Sequence, residues 1–587
     1  ENRIGKQKMV KNNANRNRDL SALAIGILVI VLINFSASLL FERFDLTSEN
    51  RYSLSNASKE LVKNLDDIVY VKVYLEGDYP AAYKKLRDET REMLDEFRAY
   101  SNDNLDYEFI NPAESGDEKI TKEIYQQLFK QGLQPTDLNE KTTDGFSNKL
   151  IWPGAIFFYK GKEIPVQLLK SKLGSNPVNM INSSIEGLEY EIANAIYNLT
   201  TELKPKIAFI DGHGELNKYE VASLSTSLAE FYSIDRIKLN GELYSLTERT
   251  MKDSTQEFVV HPKYDAIIIA KPTQKFSEKD KFIIDQYIMY GGKVVWMIDP
   301  VFASMDSLRT SDVTMAIPQD LNLDDQLFTY GVRVNANLIQ DLQSAPIPIV
   351  TGMVGNQPKT ELYPWYFFPL LTPANSHPIV NNLNAVKGEF TSTIDTINKA
   401  GITKIGLLKS SQYTKISSAP TRVSLSFLRF EPDQNQFNKG HQVAAALLEG
   451  SFESVFKNRV PPQILEANEI AFREKSKSNK MVVIADGDIA KNAVNPRTNE
   501  YMALGLDRYT KQQYGNADFM LNVMNYMCND NGLMSVRTKK FKIRLLDHTV
   551  IKDEKVIWQI FNTVLPVAIM LLFGIAHFFY RKRKYTK

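Results

Sequence analysis

Two long uncharged apolar segments, one near each end, stand out in the hydropathy pattern of this 587-residue chain. The first runs from Leu20 to Phe41 and the second from Val556 to Tyr580. At 1.5 Å per residue, the first would form a helix about 33 Å long, enough to cross a hydrocarbon core of about 30 Å. The pattern predicts a transmembrane helix at each end. For the first segment the alternative is a cleaved signal peptide with Ser36-Ala37-Ser38 as its cleavage site, but the apolar run is longer than such peptides usually have.

Basic residues flank the outer side of both apolar segments. They are Arg3, Lys6, Lys8, Lys11, Arg16 and Arg18 before the first, and Arg581, Lys582, Arg583, Lys584 and Lys587 after the second. By the positive-inside rule, both termini are cytoplasmic and residues 42–555 lie on the other side of the membrane.

Between the two segments, apolar strand patterns alternate with helix patterns, most clearly over residues 201–300. The predicted strands are Lys206–Ile210, Ile234–Leu239, Tyr264–Ala270 and Lys293–Ile298, and the predicted helices are Lys218–Phe231 and Ser277–Tyr290. Continuous apolar strands that alternate with helices are typical of a parallel sheet covered on both faces. The fold class is therefore α/β, flavodoxin-like in general plan.

The same patterns predict a division of the whole chain. Its parts are a basic tail (1–19), a transmembrane helix (20–41), an N-terminal extracytoplasmic α/β domain (42–200), a flavodoxin-like α/β core (201–300), a loop-rich insertion with strands (301–480), the C-terminal part of the α/β region (481–555), a second transmembrane helix (556–580) and a basic tail (581–587).

Composition and missing motifs exclude several classes of function. A net charge of +2 argues against a nucleic-acid-binding protein, and the single cysteine, Cys528, cannot form an intrachain disulfide. The chain has no phosphate-binding GxxxxGK[ST] loop, no HExxH zinc motif and no GxSxG nucleophile elbow. We therefore expect no ATPase activity, no metal and no cofactor.

One turn is the best candidate for chemistry, namely Asp211-Gly212-His213-Gly214-Glu215 after a predicted strand. Open α/β sheets bind ligands at such turns, and His213 could act as an acid–base group oriented by Asp211 or Glu215. The alternative is a tight glycine turn in which His213 and Glu215 brace the next helix. Because no nucleophile is adjacent, the sequence favours the structural interpretation. The same holds for Asp486-Gly487-Asp488, where a turn after a buried strand competes with part of a metal site.

Two further features concern partners. Arg537, Lys539, Lys542 and Arg544 precede the second apolar segment, either as a solvated strand face or as a contact for lipid head groups or an acidic partner. Trp365, in the aromatic run Tyr363–Pro369, either fills a core or belongs to a docking patch.

Several motifs, taken in order, resemble the auxiliary proteins of ABC transporters of the gliding-motility type. They are Arg43-Phe44-Asp45-Leu46-Thr47, Arg51-Tyr52-Ser53-Leu54-Ser55, the Gly212–Glu215 turn, the stretch from Gly291-Gly292-Lys293 to Asp299-Pro300, and Asp486-Gly487-Asp488. The resemblance implies a noncatalytic subunit of the bacterial inner membrane with a periplasmic body. It also implies a glutamine-amidotransferase-like fold that has lost its chemistry, since no Cys follows a strand at the nucleophile position.

The same resemblance implies partners. They are a multispanning permease of the GldF type and a cytoplasmic ATPase of the GldA type, which serve gliding motility and linked type IX secretion, with room for a dimer of this chain in the complex. Two helices are too few to form a transport path alone, which agrees with a separate permease. The alternatives are a membrane-tethered periplasmic enzyme that uses the Asp211–Glu215 turn, and a passive scaffold that binds cell-wall or outer-membrane partners.

Overall fold

The computed structural model describes residues 20–35, 53–114, 116–142, 145–170, 176–201, 203–251, 258–355, 357–495, 497–529, 532–537 and 548–585. By contacts the chain divides into two units, residues 1–45 with 52–539 and residues 46–51 with 540–587. The motif at 43–47 and the start of the one at 51–55 lie outside the described residues, as do Lys539, Lys542 and Arg544.

Apolar residues at helical spacing explain the first α/β part of the body. Leu86, Leu94 and Phe97 share the buried face of one helix and pack on a sheet of order β2-β1-β5-β6. The elements are α1 (Leu20–Phe35), α2 (Asn56–Lys63), β1 (Val69–Val73), α3 (Ala81–Tyr100), β2 (Leu105–Phe109), α4 (Glu118–Lys130), β3 (Thr136–Thr142), β4 (Gly145–Ile151), β5 (Gly154–Tyr159), β6 (Lys162–Gln167) and α5 (Pro177–Thr200).

The next elements follow the predicted strand–helix alternation, but an antiparallel strand pair is added and the helix predicted over Lys218–Phe231 covers only Ala222–Ala229. They are β7 (Lys206–Asp211), α6 (Ala222–Ala229), β8 (Ser233–Lys238), β9 (Thr247–Met251), β10 (Phe258–Pro262), β11 (Ala266–Ala270), α7 (Glu278–Met289) and β12 (Lys293–Met297). Ser277 caps α7 by accepting a hydrogen bond from the Asp280 N–H, as its position before an acidic first turn predicts.

The rest of the body is rich in strands. Its elements are β13 (Val301–Phe302), α8 (Ser307–Thr310), β14 (Val313–Pro318), α9 (Asp324–Tyr330), β15 (Val332–Val334), β16 (Asn337–Asp341), β17 (Ser344–Val354), β18 (Gln357–Pro373), β19 (Val386–Lys387), β20 (Ile394–Thr396), β21 (Ile402–Lys409), β22 (Thr414–Ser418), β23 (Thr421–Ser424), β24 (Val443–Glu453), α10 (Pro462–Leu465), β25 (Lys475–Ile484), α11 (Asn516–Cys528) and α12 (Leu533–Val536).

One large sheet organises the body, in the order β17-β18-β21-β24-β25-β12-β11-β7-β8. Strands β25, β12, β11, β7 and β8 are parallel, and the others are antiparallel. Among the parallel strands, sequence order reverses between β7 and β11. One face packs against α6 and α11 and the other against α7 and α9. The α/β class and the covering of both faces agree with the prediction, whereas the sheet as a whole is mixed and not wholly parallel.

Residues 301–480 join this sheet. Strands β18, β21 and β24 extend it on the β25 side, which the expectation of a loop-rich insertion did not anticipate. Strand β20 is only 3 residues long, and just before it the Glu389 N–H and the Thr391 hydroxyl donate to the buried Asp486 carboxylate.

The C-terminal apolar segment forms part of a long helix, α13 (His548–Tyr585). Within it, Glu554–Arg583 is long and apolar enough to cross a membrane, with a mean hydropathy of 2.0. The N-terminal helix α1 is described over Leu20–Phe35 of the predicted 20–41 span, and residues 36–41 lie outside the described part of the chain.

Candidate functional site

Charged and polar residues gather where the parallel strands end. Asp211 ends β7, Lys271 follows β11, Asp299 follows β12, and Asp486 and Asp488 follow β25. Ligands of open parallel sheets bind outside these carboxyl ends, which makes this edge the candidate site.

His213 is buried at this edge and held by two carboxylates. Its Nδ1 lies 3.1 Å from Glu215 Oε1, its Nε2 lies 3.2 Å from Asp280 Oδ2, and its ring stacks on Phe276 at 3.7 Å. Burial lowers the pKa of His213, but hydrogen bonds and charges from Glu215 and Asp280 outweigh it, and the net pKa is raised. Both ring nitrogens face carboxylate oxygens, so the protonated ring can donate to both and brace the turn against α7.

Protein groups fill the crevice beside this turn. The His213 carbonyl accepts hydrogen bonds from the N–H groups of Thr273 and Gln274, at 2.9 and 2.8 Å. A Cβ added to Gly214, whose φ is +72°, would lie 2.1 Å from Thr273 Oγ1. Asp211 pairs with Arg236 and not with His213. Of the two proposed orienting groups, only Glu215 contacts the imidazole, and the geometry favours the structural turn over an acid–base site.

We predict that His213→Ala lowers stability by about 1–3 kcal/mol, because it removes one donor from each of the two carboxylates, Glu215 and Asp280, that the imidazole contacts. A raised histidine pKa adds stability that is present in full below the unfolded-state pKa of about 6.5 and is lost as pH rises through the folded-state pKa. The deficit of the variant should therefore be larger near pH 6 than near pH 9. Thermal unfolding of the full chain in detergent measures it, with exposed His261→Ala as control; an equal deficit at both pH values would contradict the charged brace.

A second group at this edge consists of Lys271, Asp299, Asp486 and Asp488, here called the carboxyl-edge cluster. Lys271 Nζ contacts Asp488 Oδ2 and lies 3.1 Å from Asp299 Oδ2. Asp299 Oδ1 accepts the Gly487 N–H at 2.5 Å. These contacts fasten the ends of β11, β12 and β25 to one another.

Asp486 is the deepest member of the cluster, with no exposed surface. One of its oxygens accepts the Asp488 N–H at 2.9 Å, and the other accepts the Glu389 N–H at 2.8 Å and the Thr391 hydroxyl at 2.5 Å. Burial, followed by the charges of Asp299 and Asp488, raises the pKa of Asp486 well above its usual range.

Lys271 carries the positive charge of the cluster. Burial lowers the pKa of Lys271, but Asp299 and Asp488 outweigh it and the net pKa is raised. Lys271 is therefore a charged ammonium paired with carboxylates. This state fits a structural role, because a nucleophilic lysine has to be deprotonated. The sequence contained a usable signal, because each cluster member follows an apolar strand and parallel strands end at one edge, but Lys271 and Asp299 were not singled out as site residues.

The remaining candidates are separated from this edge in the chain. Trp365 is fully buried in an apolar cluster with Leu338, Phe367 and Val423, which corrects its assignment as a partner contact in favour of the core alternative. Arg537 is half-buried and follows α12 directly. Among the residues that the structure describes, no group of three or more His, Cys, Asp or Glu side chains is arranged to hold a metal ion.

Comparison with protein families decides the classification. Residues 204–523, more than half of the chain, match the family model described as ABC-type uncharacterized transport system, ABC_transp_aux. The chain belongs to this ABC transport auxiliary family. It is thus an accessory subunit of an ABC-type transport system, and its family implies transporter components such as a permease and an ATPase as partners.

Further similarities accompany the auxiliary-family match. Residues 48–158 match a domain of unknown function, DUF7088. An uncharacterized protein of Borreliella burgdorferi is 20% identical over 582 residues, which cover 97% of this chain and 99% of the relative. Among solved structures, the mmIFT52 N-terminal domain is similar with 13% identity and a TM-score of 0.30, covering 55% of this chain and 98% of that domain.

The auxiliary-family region begins just before β7 and ends within α11. It contains the whole carboxyl-edge cluster, the His213 turn and Trp365. Helix α5, which precedes it, and Arg537, which follows it, lie outside this region.

Proposed function

We propose that the chain is a noncatalytic, membrane-anchored periplasmic subunit of the GldG type that supports gliding motility and linked protein secretion. The family match over residues 204–523 carries this proposal. The candidate membrane span Glu554–Arg583 agrees with anchoring. The buried, carboxylate-held His213 disfavours the alternative of a tethered enzyme, since that imidazole is only 6% exposed.

In this proposal both apolar segments cross the inner membrane and both termini are cytoplasmic. The basic residues Arg581, Lys582 and Arg583 at the end of α13 are consistent with that orientation. The order of the parallel strands supports a flavodoxin-like or amidotransferase-like core, and the domain boundaries predicted from the sequence are retained as part of the proposal.

The subunit depends on partners for energy and for a transport path. A GldF-like permease supplies the path and a GldA-like ATPase supplies the energy, while the periplasmic body of this chain acts outside the membrane. A dimer of this chain within the complex is compatible with the proposal.

Co-purification tests the proposal directly. We predict that the full chain, tagged at its C-terminus and extracted in mild detergent, brings down the permease and the ATPase when all three are expressed together. A variant that lacks α13 is the control and should retain much less of both. Recovery of the full chain alone, with both partners present in the membranes, would contradict the proposal.

A further inference from the structure

The N-terminal connection of the body is fastened to helix α5. Residues 36–52 separate α1 from the body, which begins in the described chain at Ser53. Just beyond it, the Ser55 N–H and the Ser58 hydroxyl both donate to Glu189 Oε1, at 2.6 and 2.8 Å. Glu189 is 4% exposed and lies in α5, so the start of the body is held by a buried polar contact.

The C-terminal connection is fastened to the next residue of the same helix. Tyr190 packs against Met534 and Val536 of α12, and the Arg537 guanidinium lies over its ring, 5.0 Å from the centroid. Arg537 also donates from Nη2 to the Asn381 carbonyl at 3.0 Å, which orders the chain just before residues 538–547 lead to α13.

The two connections also lie next to each other. A Cβ added to Gly532 would lie 3.9 Å from the Cβ of Ala57 in α2. Leu54 and Leu533 belong to one apolar cluster, together with Leu188 of α5. The chain therefore enters and leaves the body at one place, here called the α5 junction (residues 53–58, 188–190 and 532–537).

Helix α5 extends from this junction into both parts of the body. Its buried side chains Ile185, Ile192 and Ile196 belong to the apolar cluster of the N-terminal sheet. In the other direction, a buried hydrogen-bond chain runs from Tyr190 through Asn525 of α11 to Tyr232, at 3.4 and 2.7 Å. Residues on α5 thus contact the first sheet and the helix that covers the large sheet.

We propose that the α5 junction moves as one rigid piece and is the element through which movement of the membrane segments reaches the periplasmic body. This inference rests on the proposed function, because it takes the apolar segments as membrane anchors. Two connections fastened to separate domains would pull those domains apart, whereas these two act on adjacent residues of one buried helix. The body is then displaced as a whole and does not open when the anchors move.

A disulfide across the junction tests its rigidity. The variant carries Ala57→Cys and Gly532→Cys in a Cys528→Ala background, since the expected Cβ–Cβ separation is within the range of disulfides. In membranes that contain the full chain and its partners, we expect oxidation to remove maleimide-reactive thiols, whereas the single-cysteine variants stay reactive. The oxidised variant should complement a deletion strain as well as its reduced form, within about twofold.

Two results would overturn the proposal. Failure of the paired cysteines to react, in a variant that expresses normally, would show that the connections are not adjacent. Loss of complementation on oxidation, with recovery on reduction, would show that they must separate during function. Neither result depends on co-purification. A failure of the proposed function would instead appear as the absence of the permease and the ATPase when the unmodified chain is purified, so the two failures can be told apart.

A second variant tests transmission through α5. Glu189→Ala should speed hydrogen exchange at Ser55 roughly tenfold and abolish complementation while the partners still co-purify. Glu189→Gln retains an acceptor oxygen and should restore both the slow hydrogen exchange at Ser55 and complementation. The midpoint of tryptophan fluorescence unfolding should fall modestly with Glu189→Ala and less with Glu189→Gln. A general structural defect would lower it much further and would also reduce recovery of the partners. If Glu189→Ala exchanged faster at Ser55 and still complemented the deletion strain fully, the coupling through α5 would be contradicted.

Discussion

Replacing Lys271 with methionine is expected to destabilise the body by about 3–5 kcal/mol, since among the described residues it removes the one cation that contacts Asp299 and the nearer of the two that contact Asp488. Methionine retains the apolar stem, so the loss reports the charge and not the packing. Denaturant unfolding of the full chain in detergent, followed by tryptophan fluorescence, measures the effect, and buried Trp296 on β12 contributes to that signal.

The pH dependence of the stability of Lys271→Met shows whether the lost charge pairing causes the destabilisation. Burial, with repulsion from neighbouring carboxylates, raises the folded-state pKa values of Asp299 and Asp486 above the usual 3.8. A carboxyl group with a raised pKa loses its stabilising contribution as pH rises through that pKa and regains it as pH falls. Without Lys271 these pKa values rise further, so the deficit should shrink between about pH 8 and about pH 5.

The matched control is Lys275→Met. Lys275 pairs with Asp320 at 2.6 Å, but both side chains are more than half exposed, and such pairs contribute less than about 1 kcal/mol. If Lys271→Met cost no more than this control, or if its deficit did not change with pH, the carboxyl-edge cluster would not be a charged buried network.

Local patterns were sufficient to predict the parallel part of the large sheet. Strands β7, β11 and β12 have continuous apolar runs because both of their faces are buried there, and Ser277 gives α7 a recognisable cap. The C-terminal apolar helix followed from length and composition in the same way.

Long-range pairing could not be predicted in this way. Strand β24 inserts between β21 and β25, and no local pattern states which strand it joins. The same limit applies to the site, where His213 bonds to Asp280, 67 residues away, and Lys271 to Asp488, 217 residues away. The sequence located the turns but not the partners of their side chains.

Helix α5 shows a similar limit. Its apolar spacing is typical of a helix, but nothing in the sequence shows that Glu189 and Tyr190 contact residues more than a hundred positions away. A buried carboxylate on an otherwise apolar helix face is such a sign in general, because buried charges are rarely left unpaired.

Trp365→Ala is expected to destabilise the body by about 3–5 kcal/mol, because it opens a cavity in a fully buried apolar cluster. The indole packs against Phe367 with a ring-centroid distance of 5.2 Å, and its Nε1 has no hydrogen-bond partner among the described residues. Trp365→Phe should therefore lose less, since it keeps most of the ring and removes a buried N–H that is unsatisfied.

A comparison with a neighbouring residue on the same strand decides whether Trp365 belongs to the core or to a docking patch. Leu362 of β18 is 47% exposed, so Leu362→Ala should change stability by no more than about 0.5 kcal/mol. If Trp365 served a partner, its alanine variant would unfold at the wild-type midpoint and retain less permease in co-purification. The burial of Trp365 predicts the opposite pattern, a lowered midpoint with partner recovery per folded molecule unchanged, because a side chain without accessible surface has no area to contribute to an interface.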